Sequence, residues 1–261
     1  MRSREIQRLS LPTIGEFRGF EARREPVVIT GALAAWPALA RWSFGWLESV
    51  HGDARVRVRT SARVAPQLFS GFTFETMELR RALEEIENAG ERVLYVQYCD
   101  LERELPRLAG EIHDLPYRRQ LLCSPALLWI SGRGVVNPLH WDYNHVALAQ
   151  VHGEKRLLLF DPAESPRLAS YAERTVWRTS SLDLAARGVA ELEAVSAFSA
   201  SLAPGDVLFI PYRWWHYAEC DGPSISVSWW WEPSIFAHYR DAVRERLLIP
   251  VKRVLRARAV R

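Results

Sequence analysis

The fold class of this chain is indicated most directly by residues 149–160, which read AQVHGEKRLLLF. Two apolar runs flank Gly153, and a glycine between two such runs is typical of a tight β-hairpin. Further short strands are predicted on both sides of this hairpin, at residues 126–131, 207–211 and 224–231. Many short strands with a hairpin predict a mainly β domain with helical additions, rather than a parallel sheet whose strands and helices alternate.

Helices are predicted mainly outside this strand-rich region. Thr13 and Glu16 have the spacing of a capping box, which marks the start of a short N-terminal helix. Val56 and Val58 alternate with arginines, the period-2 pattern of a half-exposed strand. Residues 74–88 place several apolar side chains on one stripe and are predicted to form a second amphipathic helix.

The second half of the chain contains two less regular segments. Residues 161–203 are predicted to form a long irregular insert with a helical piece near 182–192. A helix is predicted from residue 235, and Pro250 must end or kink it. The apolar face of this helix predicts either a homodimer contact or packing on the chain's own barrel. Its members are Phe236, Tyr239, Val243 and Leu247.

The charge of the chain is small overall and concentrated locally. The formal net charge is +3, so the whole molecule is no general polyanion binder. Residues 240–261 nevertheless contain eight Lys or Arg against two acidic residues. This basic tail is the feature that would contact RNA or another acidic partner, although a solvated helix face or a frayed terminus is the simpler explanation.

Composition describes a folded domain rather than a disordered or fibrous chain, because 48% of the 261 residues are hydrophobic. Three cysteines without a Cys-x-x-Cys pair argue against a disulfide framework or a structural zinc site. The first residues lack the apolar core of a signal peptide, and no run of about 20 apolar residues is present. These features predict no membrane association and a reducing, cytoplasmic compartment.

One short motif carries chemistry. In His140-Trp141-Asp142, an imidazole and a carboxylate lie two residues apart, and on a strand such residues face the same side. His216 follows a turn and a strand at residues 204–211 and could supply a third ligand. Two histidines and one carboxylate on one face of a metal leave other coordination positions open, as in non-haem Fe(II) oxygenases. We therefore expect His140, Asp142 and His216 to be the metal ligands and the catalytic centre.

Two ordered blocks around these residues resemble the JmjC family, in particular its small cupin-like hydroxylases. The first block is residues 137–142 with the hairpin at 149–160, and the second is residues 204–216 with the strand at 225–230. The resemblance extends from about residue 12 to residue 235. It implies a double-stranded β-helix, or jelly roll, with N-terminal α/β elements and C-terminal helices.

This resemblance also implies a domain division. We expect one oxygenase domain over residues 1–235, with its core barrel at about 93–232, and a basic helical extension at 236–261.

Cofactors and their contacts follow from the same resemblance. It implies Fe(II) at the three ligands, with 2-oxoglutarate and O₂ at the open positions. Lys155 stands where relatives hold the distal carboxylate of 2-oxoglutarate, and Tyr95 where a tyrosine hydrogen-bonds that carboxylate. For Tyr95 a plain core role remains open.

Other positions depart from the family pattern or are less specific. Asn137 replaces a Thr or Ser and can still donate a hydrogen bond to the cosubstrate, whereas Val146 and Ser228 stand where asparagines are common. Gln97 matches a residue on the substrate side, and Trp129 could line the substrate cleft, with core packing as the alternative for both. These departures affect how 2-oxoglutarate is held and leave the metal ligands unchanged.

The activity that the resemblance implies is hydroxylation of an amino-acid side chain in a peptide or protein, with 2-oxoglutarate converted to succinate and CO₂. Two alternatives stay open. One is the same chemistry on an RNA base or an N-methyl group, where hydroxylation causes demethylation. The other is a cupin-like module that binds a metal or a partner without turnover.

Overall fold

A computed structural model describes residues 2–62, 72–88, 92–119, 123–168, 179–180, 184, 192 and 195–233. In chain order its strands are β1 (Arg2–Glu5), β2 (Arg8–Ser10), β3 (Val27–Thr30), β4 (Arg55–Ala62), β5 (Phe72–Glu78), β6 (Arg92–Asp100), β7 (Leu127–Ser131), β8 (Val136–Trp141), β9 (His145–His152), β10 (Lys155–Phe160), β11 (Ser196–Leu202), β12 (Val207–Ile210), β13 (Trp215–Glu219) and β14 (Ser224–Trp231). Its helices are α1 (Ile14–Arg23), α2 (Pro37–Arg41), α3 (Phe44–His51), α4 (Leu79–Glu87), α5 (Leu101–Glu104), α6 (Pro106–Ala109) and α7 (Ser165–Leu168), with a 3₁₀ turn at Pro162–Glu164.

The last eight strands form a jelly roll of two facing sheets. Strands β12, β9, β14 and β7 are neighbours in the larger sheet, and β11, β10, β13 and β8 are neighbours in the smaller one. All pairs within these two groups are antiparallel. The chain therefore alternates repeatedly between the sheets, which confirms the predicted double-stranded β-helix.

N-terminal elements extend both sheets. In the larger sheet, β3 pairs with β12 and β2 pairs with β3, while β6, β4 and β5 continue beyond β7. In the smaller sheet, β1 pairs in parallel with β11. The predicted capping box is confirmed, because the Glu16 N–H donates to the Thr13 hydroxyl and the Glu16 carboxylate accepts from the Thr13 N–H. These additions match the predicted N-terminal α/β elements.

Three local predictions were wrong. The predicted hairpin at residues 149–160 is a turn between the two sheets, because β9 pairs with β12 and β14 whereas β10 pairs with β11 and β13. Phe72–Glu78 is strand β5 rather than the beginning of a helix, and only Leu79–Glu87 is helical. Met77 opposes Val56 on β4, and the alternating aromatic and threonine residues of FTFETME favour a strand. The insert predicted as irregular contains β11, whose sequence SAFSASL has too few large apolar residues to signal a strand.

Several predictions fall on residues outside the described ones. Of the helical piece near 182–192, the structure describes only residues 184 and 192. The C-terminal helix, its apolar face and the basic tail lie in residues 234–261, which are outside the described part. The domain division at 235/236 and the homodimer therefore stay predictions. Among the described helices, none has the length and apolar character needed to span a bilayer.

Candidate metal centre and cavity

Strand register brings the two motif histidines together. His216 on β13 is the cross-strand partner of His140 on β8, and Asp142 lies one residue beyond the end of β8. The ring centroids of His140 and His216 are 4.2 Å apart, and His216 Nε2 is 3.6 Å from Asp142 Oδ2. One ligand atom from each of the three residues lies within 4.8 Å of the others. A single cation could therefore contact all three side chains.

Hydrogen bonds fix which nitrogen of each imidazole faces this point. Nδ1 of His140 lies 2.6 Å from the Pro138 carbonyl oxygen, and Nδ1 of His216 lies 3.0 Å from that of Trp214. A carbonyl can only accept, so Nδ1 must carry the hydrogen in both rings. Nε2 then carries the lone pair, which is the arrangement of a metal-binding histidine with an outer-shell partner. Burial lowers the pKa of His216 to about 4, so this ring is neutral at neutral pH.

The three side chains face a cavity of about 270 Å³ between the sheets. Every site residue predicted from the sequence lines it: Tyr95, Gln97, Trp129, Asn137, His140, Asp142, Lys155, His216 and Ser228. Val146, the departure from the family pattern on β9, lines it as well. Further lining residues include Trp230, and also Arg59, Phe72 and Tyr98, which the sequence did not indicate.

Lys155 is a buried cation held by a polar chain across the larger sheet. Lys155 is only 3% exposed, and its Nζ donates to the Ser226 hydroxyl at 2.6 Å. That hydroxyl donates to Gln150 Oε1 at 2.8 Å, and the Gln150 amide donates to the Ser224 hydroxyl at 3.0 Å. Among the described residues, no carboxylate forms an ion pair with Lys155. Burial lowers its pKa, so its ammonium would be stabilised by an incoming anion.

Tyr95 and Asn137 form a second polar pair on the cavity wall. The Asn137 side-chain amide donates to the Tyr95 hydroxyl oxygen at 3.1 Å. Tyr95 is buried, and burial raises the pKa of its phenol far above the neutral range. The phenol therefore keeps its hydrogen and can donate it to an acceptor in the cavity.

Aromatic rings close one side of the cavity. Tyr98 is 55% exposed, and its ring lies 4.6 Å from that of Trp129 and 5.7 Å from that of Trp230. Trp129 also donates from Nε1 to the Ser228 hydroxyl at 2.6 Å, so both residues have a packing role as well as a place on the wall. These rings give this part of the cavity wall an apolar surface.

Arg59 is buried, although the alternating pattern of β4 suggested that it would be exposed. The alternation on β4 suggested arginines on an exposed face, yet Arg59 is 6% exposed whereas Arg57 is exposed. Arg59 is buried because its guanidinium lines the cavity and lies over the rings of Phe72 on β5 and Tyr95 on β6. A strand's period alone cannot show which side chains of other strands will cover one of its residues.

Comparison with known proteins gives one family match. The model of the cupin-like domain matches residues 14–236, which is well over half of the chain. The chain is 28% identical over 246 residues to Jumonji C domain-containing protein 5 of Drosophila melanogaster, covering 87% of this chain and 60% of the relative. It is 29% identical over 236 residues to lysine-specific demethylase 8 of Xenopus tropicalis, covering 87% of this chain and 52% of the relative.

A third relative, from human, is matched over a larger share of its length. The bifunctional peptidase and (3S)-lysyl hydroxylase JMJD7 is 25% identical over 254 residues, covering 83% of this chain and 80% of the relative. The chain thus spans only a little over half of the first two relatives and most of the third.

Proposed function

Because the chain belongs to the cupin-like domain family, we propose that it is an Fe(II)- and 2-oxoglutarate-dependent oxygenase that hydroxylates an amino-acid side chain of a peptide or protein. One observation carries this proposal. The ligand atoms of His140, Asp142 and His216 lie within 4.8 Å of one another on the wall of a cavity that also contains the buried Lys155.

The donor set suits iron. Two neutral imidazole nitrogens and one carboxylate form the 2-His-1-carboxylate triad that leaves positions open in non-haem Fe(II) oxygenases. His140 and His216 are held by backbone carbonyls, and Asp142 supplies the negative charge. These three residues would hold the metal.

The polar groups of the cavity suit a dicarboxylate. Lys155 would bind one carboxylate as its counter-ion, and the Tyr95 hydroxyl would donate to the same group. Asn137 orients that hydroxyl through its own hydrogen bond. When bound, iron with 2-oxoglutarate and O₂ supplies the oxidation that turns a substrate C–H into C–OH while 2-oxoglutarate becomes succinate and CO₂.

The protein's own part in this reaction is positioning and exclusion of water. Trp129, Tyr98 and Trp230 form an apolar wall beside the triad, so a substrate side chain entering there would displace solvent. The ordered hydrogen-bond chain behind Lys155 fixes its ammonium before the cosubstrate arrives. The relative named a lysyl hydroxylase supports a protein side chain as the substrate.

A second candidate is the same chemistry on tRNA. It is favoured by the human tRNA wybutosine-synthesizing protein 5, which is 23% identical over 231 residues, covering 80% of this chain and 72% of that relative. Binding of tRNA that weakens steeply with salt concentration would favour this substrate over a protein.

The test is succinate formation from 2-oxoglutarate by the Fe(II)-loaded protein without added substrate. We expect slow turnover that Asp142→Ala abolishes, together with loss of metal binding in equilibrium dialysis. Lys155→Met should raise the KM for 2-oxoglutarate at least tenfold while metal binding persists, because the cosubstrate loses its charged partner. Arg156→Gln is the matched control. Arg156 follows Lys155 on β10 but is exposed, and it pairs with Glu219 and Asp221. Metal binding without turnover by the wild type would instead favour the catalytically silent module.

A further inference from the structure

Arg59 is a second buried cation on the cavity wall, and neither the metal site nor the cosubstrate contacts use it. Arg59 is 6% exposed, and its guanidinium carbon lies 5.2 Å from the Phe72 ring centroid and 5.6 Å from that of Tyr95. A buried guanidinium between aromatic rings gains cation–π attraction but loses its hydration. Such a group is normally paired with an anion.

The described residues do not supply that anion. The acid nearest along the sheet is Glu75 on β5, which accepts from Arg92 and from the Thr60 hydroxyl. Thr60 follows Arg59 directly, so its side chain lies on the opposite face of β4. Among described groups, the charges that act on Arg59 come from Tyr95 and Tyr98, neither of which is ionised at neutral pH. Residues 63–71, which link β4 to β5 along the chain, include no Asp or Glu.

Arg59 lies apart from Lys155 and contacts the other cosubstrate residue, Tyr95, over its ring. Lys155 is hydrogen-bonded to Ser226 on β14, whereas Arg59 lies on β4. Strands β7 and β6 lie between β14 and β4 in the larger sheet. Arg59 pairs with Tyr95 across β4 and β6, and the Tyr95 hydroxyl is engaged with Asn137. On the same wall stand Phe72, Gln97 and the exposed Tyr98. Arg59 therefore faces the part of the cavity that is left to the substrate.

We propose that Arg59 binds a carboxylate of the substrate, so that the side chain entering the cavity is an aspartate or a glutamate of a peptide. This inference rests on the proposed function and specifies its substrate class. A guanidinium offers paired N–H donors that match the two oxygens of a carboxylate. A carboxylate at the end of a side chain can reach a guanidinium that is 6% exposed. A phosphodiester carries a sugar on each side and needs an open groove, so the enclosed position favours a peptide over RNA.

The probes are four nonapeptide libraries that differ only at the central residue, which is Asp, Asn, Glu or Gln. The Fe(II)-loaded protein with 2-oxoglutarate is incubated with each library, and products heavier by one oxygen atom are measured by mass spectrometry. The acidic libraries should give at least tenfold more product than their amide counterparts, because a buried charged hydrogen bond is lost in the amide. Arg59→Gln should bring that ratio to within about twofold of one. Arg57→Gln, which changes an exposed arginine on the same strand, should keep the wild-type ratio.

A binding measurement separates failure of this inference from failure of the proposed function. Anisotropy of the same libraries, labelled with a fluorophore, is recorded with the Mn(II)-loaded protein and needs no turnover. If the wild type converts 2-oxoglutarate alone but treats acidic and amide libraries equally, the inference is wrong and the function stands. If the wild type never converts 2-oxoglutarate, the function is wrong, and the acid-to-amide binding ratio still decides the role of Arg59.

Two other results would overturn the inference. One is a rise in the KM for 2-oxoglutarate in Arg59→Gln, measured without peptide, that matches the loss in the product ratio, since Arg59 would then hold the cosubstrate. The other is tRNA binding that depends on Arg59 while the acidic libraries do not bind.

Discussion

His145 lies three residues beyond Asp142 and has a different environment from the metal ligands. It is 3% exposed, and its ring packs against Phe209 and Trp231. Its Nδ1 accepts a hydrogen bond from the Tyr212 backbone N–H at 3.0 Å, which requires an unprotonated nitrogen. Burial, with a smaller contribution from Arg24 and other arginines, lowers the pKa of His145 from 6.5 to about 4. The folded protein therefore keeps this ring neutral.

This shift predicts a specific dependence of stability on pH. Below about pH 6.5 the unfolded chain binds a proton at His145 and the folded protein does not, so the free energy of unfolding falls as pH decreases. The loss should level off near pH 4 and amount to about 3 kcal/mol, from 1.36 kcal/mol per pKa unit. Urea unfolding at pH 7.5, 6 and 5 measures it. His145→Gln keeps an acceptor without titrating, so its curve should be flatter; equal slopes for both proteins would contradict the assignment.

At the residue scale, the sequence predicts a side chain's partners only where spacing constrains them. The grouping of His140 and Asp142 follows from their two-residue separation. Ser226 and Arg59 were missed because their roles depend on which strands lie beside theirs. The local sequence of a strand does not show which distant strand pairs with it or in what register. A buried arginine on an alternating strand looks the same as an exposed one until its neighbours are known.

At the element scale, the turn between β9 and β10, which carries the chain from one sheet to the other, has a clear requirement for glycine. Gly153 has φ +67°, and a Cβ there would lie 2.0 Å from the Pro223 carbonyl oxygen. Both the conformation and the space thus require glycine. The turn could be predicted because Gly153 marks it locally, but the sequence could not show that β9 and β10 enter different sheets, since that depends on strands distant in the chain. Likewise β5 was mistaken for a helix because Met77 fits an apolar stripe of either period.

Gly153→Ala should therefore be strongly destabilising. The added methyl group must displace the backbone at Pro223, immediately before β14, and we expect a loss of about 3 kcal/mol or more in the free energy of unfolding. Gly134→Ala is the control, since Gly134 has φ +78° but open space around its Cβ position, and it should lose only about 1–2 kcal/mol. Chemical denaturation of both variants gives the comparison. Equal losses would show that conformation alone, and not the contact with Pro223, determines the cost.

At the scale of the whole molecule, Glu21 connects the N-terminal helix to the barrel. Its carboxylate accepts from Arg18, from Arg119 and from Trp231 Nε1 on β14, at 2.8, 2.9 and 2.9 Å. Although burial opposes ionisation, these donors together lower the pKa of Glu21 from 4.5 to about 2. Segments from three distant parts of the chain thus share one buried charge.

Glu21→Gln should reduce the free energy of unfolding at neutral pH by about 2–3 kcal/mol, since a carboxylate whose folded pKa is depressed by this much stabilises the fold to that extent. In the wild type the same stability should disappear as pH falls from about 4.5 to 2, where the folded carboxylate becomes protonated. Glu25→Gln removes an exposed pair with Arg23 and should cost less than about 1 kcal/mol. Thermal unfolding of the two variants distinguishes them. A Glu21 variant as stable as the Glu25 variant would show that α1 is held by apolar packing alone.

The order of strands has a consequence for how the protein is made. Strand β14 lies between β9 and β7, so the middle of the larger sheet is filled by the strand that is synthesised after all the others described. Until residues 224–231 leave the ribosome, β7 and β9 each present an unpaired edge to solvent or to another nascent chain. The same delay applies to His216 on β13. A chaperone that shields strand edges would therefore act on this polypeptide until β14 has emerged.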